Sequence, residues 1–124
     1  MIAFDRLTFD DRQPVSLQLA GHLKRLILAG EAKDGDTLPS RREIAVQANV
    51  NPNTVQKAYR LMEEEGYVVT DGNRPSTVRI TPEIYARIED ELTRGLCQEF
   101  VTRARQNNLS YKKAIALISE LWED

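Results

Sequence analysis

The sequence is poor in the residues that build metal, redox and hydrolytic sites. Its 124 residues include one cysteine, Cys97, and one histidine, His22. A single cysteine excludes a disulfide framework and a cysteine metal cluster, and a single histidine leaves little room for a catalytic triad. Neither a phosphate-cradling glycine loop nor a metal-ligand spacing is present. We therefore expect no metal, no cofactor and no catalytic residues.

Long apolar segments are missing as well. No run approaches the roughly 20 apolar residues of a membrane span, and the N-terminus does not have the pattern of a signal peptide. Hydrophobic residues make up 41% and charged residues 29% of the chain. That composition and length are typical of one globular domain with a short extension. The sequence predicts a cytoplasmic protein without a membrane partner.

An excess of positive charge is also lacking. The formal net charge is −2, whereas DNA-binding domains are often basic. Residues 1–81 hold 11 basic and 11 acidic side chains, and residues 82–124 hold 6 and 8. A nucleic-acid interface would therefore need a local cluster of cations. The basic residues that could share one face are Arg41, Arg42, Lys57, Arg60, Arg74 and Arg79.

The first thirty residues predict an arm followed by a helix. Residues 1–13 are polar and mixed, and their candidate anchors to the body are Ile2, Phe4, Leu7 and Phe9. From Pro14 to about Ala29, apolar residues recur at spacings of three and four, which is typical of a core-facing helix. His22 and Lys24 fall off that stripe, and His22 is expected to be a surface residue with no special role. In the connector at residues 30–39, Leu38 is expected to enter the core.

A short capped helix follows the connector. Ser40 and Glu43 have the spacing of a capping box, in which each side chain bonds the other residue's backbone N–H. The helix is expected to reach about Ala48, with Ile44, Ala45 and Ala48 facing inward. Arg41 and Arg42 stand in its first turn, where the helix N-terminus adds attraction for an anion.

Residues 51–65 predict a second capped helix with one apolar and one polar face. Asn51 is a good N-cap, and Pro52 suits the first helical position. The apolar stripe consists of Val55, Ala58, Leu61 and Met62. The polar face consists of Asn53, Thr54, Gln56, Lys57 and Arg60. These residue types can bond base edges and phosphates, although an ordinary solvated helix would show the same pattern.

The two helices and their short connector form a helix-turn-helix pattern. In that motif the second helix lies in the major groove and the first crosses the phosphate backbone. Arg41 and Arg42 would then contact phosphate or the groove edge. The alternative is that both arginines are solvated or paired with nearby carboxylates.

A β-hairpin is predicted after the second helix. Gly66 is suited to end that helix, and residues 67–70 and 77–80 are short and β-prone around a turn-rich tip. A hairpin alone is marginal, so it must pack on the helices. Helix-turn-helix plus hairpin is a winged helix, in which Arg74 at the tip could enter a narrow minor groove.

The tail predicts two helices separated by Asn107 and Asn108, with Ser110 capping the second. Two helices cannot close a core, so their apolar surface needs a partner. The same pair in another subunit would give an isologous homodimer; the alternative is that the helices fold back on their own domain. Cys97 is expected to be buried. The predicted dimer interface consists of Ile84, Ile88, Leu92, Leu96, Phe100, Leu117, Leu121 and Trp122.

The residues of the two central helices resemble a known family. Residues 38–45 (Leu-Pro-Ser-Arg-Arg-Glu-Ile-Ala), residues 50–59 (Val-Asn-Pro-Asn-Thr-Val-Gln-Lys-Ala-Tyr) and the Glu65-Gly66 pair look like the amino-terminal domain of GntR-type bacterial transcription regulators. The run at 51–59 and the short tail are most similar to the YtrA subfamily. The resemblance is close over residues 14–80 and covers 82–124 by size and helical character only.

The resemblance implies DNA contacts from Arg42, Asn53, Thr54 and Gln56, and backbone approach at Gly72. Many members have arginines at the positions of Pro52 and Gln56, so the base preference should differ. The wing also departs from the subfamily's glycine-rich tip, because residues 73–76 are Asn-Arg-Pro-Ser. The tail is far smaller than the effector domains found elsewhere in the family, so a small-molecule effector is left open. Control of a transporter operon is a further implication.

The sequence thus predicts a mostly α fold with a small β-hairpin. A winged helix-turn-helix domain would occupy residues 1–81 and a two-helix dimerisation extension residues 82–124. The favoured function is a dimeric repressor on a palindromic operator in double-stranded DNA; the alternative is a protein-association module without specific DNA binding. An enzyme is not predicted. The DNA-binding set is Ser40, Arg41, Arg42, Asn51, Asn53, Thr54, Gln56, Lys57, Arg60, Gly72 and Arg74.

Overall fold

The structure, a computed structural model, describes residues 2–123. The elements in chain order are helices α1 (Val15–Leu28), α2 (Arg41–Ala48) and α3 (Pro52–Glu65), strands β1 (Val68–Val69) and β2 (Thr77–Val78), and helices α4 (Pro82–Gln106) and α5 (Tyr111–Trp122). The predicted mostly helical fold with one small antiparallel hairpin is confirmed. Over residues 2–123, no helix has the length and apolar character needed to cross a membrane.

The chain divides into two compact units within α4, one ending at Glu89 and the other beginning at Asp90. The first unit contains α1 to β2 and the first two turns of α4. The second contains the rest of α4 and α5. The functional boundary between residues 81 and 82 stays a prediction.

The core of the first unit forms around α3, which packs against α1, α2 and β1. Leu38 is buried, as predicted from the sequence of the connector. Two tyrosines that the predicted stripe left out, Tyr59 and Tyr67, are fully buried as well. Burial of a tyrosine is tolerated when its hydroxyl has a partner. Tyr59 donates to the carbonyl of Pro39 and Tyr67 to that of Ala20, the latter at 3.4 Å.

The N-terminal arm is fastened to both α1 and α2. Ile2 and Phe4 are buried, and the backbone N–H of Phe4 donates to Oε1 of Gln47 at 2.8 Å. The His22 ring lies edge-on to Phe4, with centroids 5.0 Å apart, and its Nε2 is 2.8 Å from the carbonyl oxygen of Ala3. His22 is half-buried, and its contacts with Ala3 and Phe4 hold the arm against α1.

Lys24 is also in the core, although it falls beside the predicted stripe. Its ammonium lies 2.9 Å from a carboxylate oxygen of Glu65 and 5.6 Å from the centroid of the Tyr67 ring. The aliphatic stem of a lysine can cover apolar surface while the charged end finds a partner. Burial of Lys24 therefore joins the middle of α1 to the end of α3.

The hairpin is shorter than predicted and is supported by the connector between α1 and α2. Val68 pairs with Val78, and Val69 pairs with Thr77. A bridge between Thr37 and Thr77 adds the connector to the other edge of β2. The N–H groups of Gly35 and Leu38 donate to the carbonyls of Val78 and Ser76 at 2.8 and 2.9 Å. This pairing stabilises a hairpin that would be marginal alone.

The first turns of α4 belong to the core rather than to an exposed face. Ile84 and Ile88, predicted as dimer-interface residues, are buried in the first unit. The Arg87 guanidinium donates to the carbonyl of Glu65 and ties α4 to the end of α3. These two isoleucines are therefore removed from the predicted interface, because their apolar surface is already covered within the subunit.

The second unit is a helical hairpin with an uncovered apolar surface. Asn108 adopts a left-handed conformation (φ 56°), and Ser110 caps α5 by accepting from the N–H of Lys113 at 3.1 Å. Leu96 is 69% exposed and Trp122 is 80% exposed. Cys97 is exposed too, contrary to its predicted burial, because two helices leave most of their apolar surface open. An open groove of about 350 Å³ lies beside Leu96 and Phe100.

Candidate nucleic-acid interface

The start of α2 is fixed by the capping box that the sequence predicts. The hydroxyl of Ser40 accepts from the N–H of Glu43 at 3.1 Å, and the carboxylate of Glu43 accepts from the N–H of Ser40 at 2.7 Å. The two bonds satisfy donors that a helix otherwise leaves free. They also define where the first turn of α2 begins, and therefore where Arg41 and Arg42 stand. Arg42 is exposed at this turn.

The turn between α2 and α3 is set by two asparagines. Asn49 ends α2 in the left-handed region (φ 54°), a conformation that asparagine adopts more readily than most residues. Asn51 begins α3 by accepting from the N–H of Asn53 at 2.7 Å, and Pro52 occupies the first helical position. The side-chain oxygen of Asn51 is therefore engaged in capping its own helix.

The two faces of α3 separate as predicted. Val55, Ala58 and Met62 are buried together with Tyr59. On the polar side, Thr54 is half-buried, whereas the other four residues are exposed, namely Asn53, Gln56, Lys57 and Arg60. Hydrogen-bonding side chains thus follow one another along the solvent side of a helix whose opposite side is anchored in the core.

Arg41 differs from its neighbour Arg42 because it is held within the subunit. Its guanidinium carbon lies 4.3 Å from the centroid of the Tyr59 ring, and its Nη2 lies 3.8 Å from Oε2 of Glu63. Burial raises the pKa of Tyr59 to about 12, and the charge of Arg41 partly opposes this rise. The hydroxyl therefore stays protonated at neutral pH and keeps donating to Pro39. Arg41 is therefore paired with a nearby carboxylate, that of Glu63.

The wing tip is exposed, whereas the wing base is bonded to α3. Gly72 has a φ of 57°, in the left-handed region, and Arg74 is exposed. At the base, the hydroxyl of Thr70 donates to Oε2 of Glu63 at 2.5 Å and is 2.5 Å from the hydroxyl of Ser76. The wing is therefore positioned from the carboxyl-terminal half of α3.

Some of these positioning residues had a signal in the sequence and others had none. Tyr59 follows Val55 by four positions and precedes Met62 by three, so helical spacing alone places it on the buried side. Glu63, Thr70 and Ser76 carry no comparable signal, because their contacts depend on how the hairpin returns to α3.

Together, the fold and the exposed face of α3 define a winged helix-turn-helix DNA-binding protein. A family profile described as "Bacterial regulatory proteins, gntR family" matches residues 15–78. The chain belongs to the GntR family of bacterial transcription regulators.

Individual relatives support a YtrA-like position within that family. The chain is 33% identical over 115 residues to the HTH-type transcriptional regulator YhcF of Bacillus subtilis, covering 93% of this chain and 95% of the relative. It is 47% identical over 57 residues to the HTH-type transcriptional repressor YtrA of Bacillus subtilis, covering 46% of this chain and 44% of YtrA.

Solved structures agree with this assignment. A GntR family transcriptional regulator from Listeria monocytogenes has a TM-score of 0.80 at 27% identity, covering 90% of this chain and 98% of that one. YtrA from Sulfolobus acidocaldarius has a TM-score of 0.56 at 30% identity, covering 94% of each chain. The family and these relatives are transcription regulators, so the protein is a regulator that binds DNA through its winged helix and is not an enzyme.

Proposed function

We propose that the protein is a homodimeric repressor that binds a palindromic operator in double-stranded DNA. The observation that carries this proposal is the capped helix α3, with its inner face buried and its polar outer face exposed. Such a helix can enter a major groove without any rearrangement of the core. The capped start of α2 then follows the phosphate backbone.

The exposed residues divide into those that read bases and those that bind phosphate. Asn53 and Gln56 carry amides that can bond an adenine edge in pairs, and Thr54 can touch a thymine methyl. Arg42, at the N-terminus of α2, is suited to phosphate by its charge and by the helix dipole. The remaining proposed contacts are Lys57 and Arg60 on the polar face of α3, Ser40 at the start of α2, and Gly72 and Arg74 in the wing.

The second unit supports pairing of two subunits. Its exposed apolar residues include Leu96, Phe100 and Leu121, and large apolar patches commonly mark association surfaces. Leu92, Leu117 and Trp122 complete the proposed interface. A two-fold dimer through this surface would present two α3 helices to successive major grooves, roughly 34–36 Å apart.

Repression is the regulatory direction that the name of one relative supports. YtrA of Bacillus subtilis carries the name of a transcriptional repressor. Binding of a dimer to an operator can block transcription with no effector domain, which suits a tail of this size. We propose further that the operator controls a transporter operon, as the resemblance to the YtrA subfamily implies.

The proposed readout predicts different defects for Arg42→Ala and Asn53→Ala. Arg42→Ala should weaken binding to all sequences and reduce the salt dependence by about one counterion per lost phosphate contact. Asn53→Ala should cost about 1–3 kcal/mol on the preferred sequence and little on unrelated DNA. Fluorescence anisotropy with an operator selected from random DNA, at several salt concentrations, measures both effects.

Arg25→Ala is the matched control, because it removes the same charge from an exposed position on α1. It should leave both affinity and preference close to those of the parent. A parent protein that selects no sequence, or Arg42→Ala and Asn53→Ala variants that bind the operator as the parent does, would refute the proposed function.

A further inference from the structure

Of the two arginines at the N-terminus of α2, Arg41 is the one that contacts other residues of its own subunit. Its Cζ lies 4.3 Å from the centroid of the Tyr59 ring, and its Nη2 lies 3.8 Å from Oε2 of Glu63. Both partners of this ion pair remain about one-third exposed, at 38% for Arg41 and 33% for Glu63. An ion pair with this separation and exposure is worth little. A stronger anion arriving at α2 can therefore displace it.

Glu63 is the fixed partner of the pair. The oxygen that faces Arg41 also accepts from the Thr70 hydroxyl at 2.5 Å. Thr70 is in turn 2.5 Å from the hydroxyl of Ser76, a buried residue whose carbonyl accepts from Leu38 at 2.9 Å. Because these contacts anchor the carboxylate at the wing base, Arg41 is the partner that moves when the ion pair separates.

The location of this carboxylate opposes DNA binding. The first helix of a helix-turn-helix crosses the phosphate backbone, and its N-terminus attracts phosphate. The carboxylate beside the first turn of α2 holds Arg41 away from that phosphate. An arginine can bind phosphate through two parallel hydrogen bonds, so DNA can compete for Arg41 but must first displace Glu63.

We propose that Glu63 is a positioning residue that restrains Arg41 and thereby lowers the sequence-independent part of DNA affinity. The inference rests on the proposed function, through the placement of α2 along the phosphate backbone. Restraint of one phosphate-binding arginine leaves a larger share of the binding free energy to the base contacts of α3. It is consistent with the equal numbers of acidic and basic residues in residues 1–81.

Glu63→Gln tests this role. The substitution removes the charge, while the amide oxygen can still accept from Thr70. Affinity should rise about two- to fivefold, the range that corresponds to the release of a weak exposed ion pair. The rise should be similar on the selected operator and on scrambled DNA. The slope of affinity against salt should steepen by about one counterion per subunit, because one more phosphate is neutralised.

Glu64→Gln is the matched control, since it makes the same charge change at the adjacent, exposed position of α3. Its gain in affinity should be smaller, with no change in the salt slope. Placing Glu63→Gln in an Arg41→Ala background should abolish the gain. Arg41→Ala alone should weaken binding less than Arg42→Ala does, and this comparison is independent of any effect of Glu63→Gln on folding.

Three results would overturn the inference: equal gains for Glu63→Gln and Glu64→Gln, a loss of affinity for Glu63→Gln, or a gain that persists without Arg41. An Arg41→Ala defect as large as that of Arg42→Ala would also overturn it. If the parent selects operator DNA but the variants give any of these results, only this inference is contradicted. A parent that selects no DNA contradicts the proposed function instead.

Discussion

Leu96→Glu is expected to convert the protein into a monomer and to lower operator affinity by at least about 100-fold, because linkage of two binding modules contributes a factor of this order. Leu96 is 69% exposed within the subunit, so a carboxylate there should not disturb the fold. At the proposed dimer interface the same carboxylate would be buried against apolar side chains without a partner, which is strongly unfavourable. Light scattering after size exclusion measures the oligomeric state, and anisotropy measures the affinity.

Gln98→Glu controls for the added charge. Gln98 is exposed on the same helix two positions away, so it points away from Leu96. It should leave both the dimer and the affinity as in the parent. A Leu96→Glu protein that remained dimeric and bound the operator normally would rule out the tail as the pairing surface, whereas loss of helical circular dichroism would indicate misfolding instead.

Phe4→Ala is expected to lower the free energy of unfolding by about 3 kcal/mol, the lower end of the range for removal of a buried aromatic ring. The Phe4 ring is 0% exposed and lies against His22 of α1. Its own backbone N–H is bonded to Gln47 of α2. Loss of the ring therefore removes core contacts and weakens the attachment of the arm to two helices. Urea unfolding followed by circular dichroism measures the change.

Phe9→Ala offers the comparison within the same arm. Phe9 is only half-buried. Its substitution should therefore lower the free energy of unfolding by less than about half as much as Phe4→Ala does, because the loss increases with the apolar area that is buried. Equal losses for the two variants would mean that the arm contributes as a whole and that the buried Phe4 ring has no special part. A negligible loss for Phe4→Ala would mean that the arm is not part of the core.

The helix limits and the polar face of α3 could be predicted because their signals are local. The capping oxygens of Ser40, Asn51 and Ser110 accept from N–H groups two or three residues away. Capping and helical periodicity act within one or two turns, so the order of residues is sufficient to indicate them. The exposure of Asn53 and Gln56 followed from the same periodicity.

The contacts that position the site could not be predicted in this way. Arg41 and Glu63 are 22 positions apart, and Phe4 and Gln47 are 43 apart. Nothing in the residues around His22 or Glu63 indicates which distant atom completes their bonds. The burial of Lys24 and of Ile84 and Ile88 also depends on how α1, α3 and α4 come together.

The order of amino acids by itself determined the helix caps and the two faces of α3, and it was sufficient to indicate the GntR family. Each of these features depends on a short run of neighbouring residues. Only the tertiary structure decided which of two adjacent arginines is free. Arg42 extends to solvent, whereas Arg41 is held by the Tyr59 ring and by a carboxylate that the wing base fixes. The physical reason is that a charged side chain is restrained by the charged and aromatic groups within about 4 Å of it. The folded chain brings these groups together from distant positions, which the local sequence does not specify.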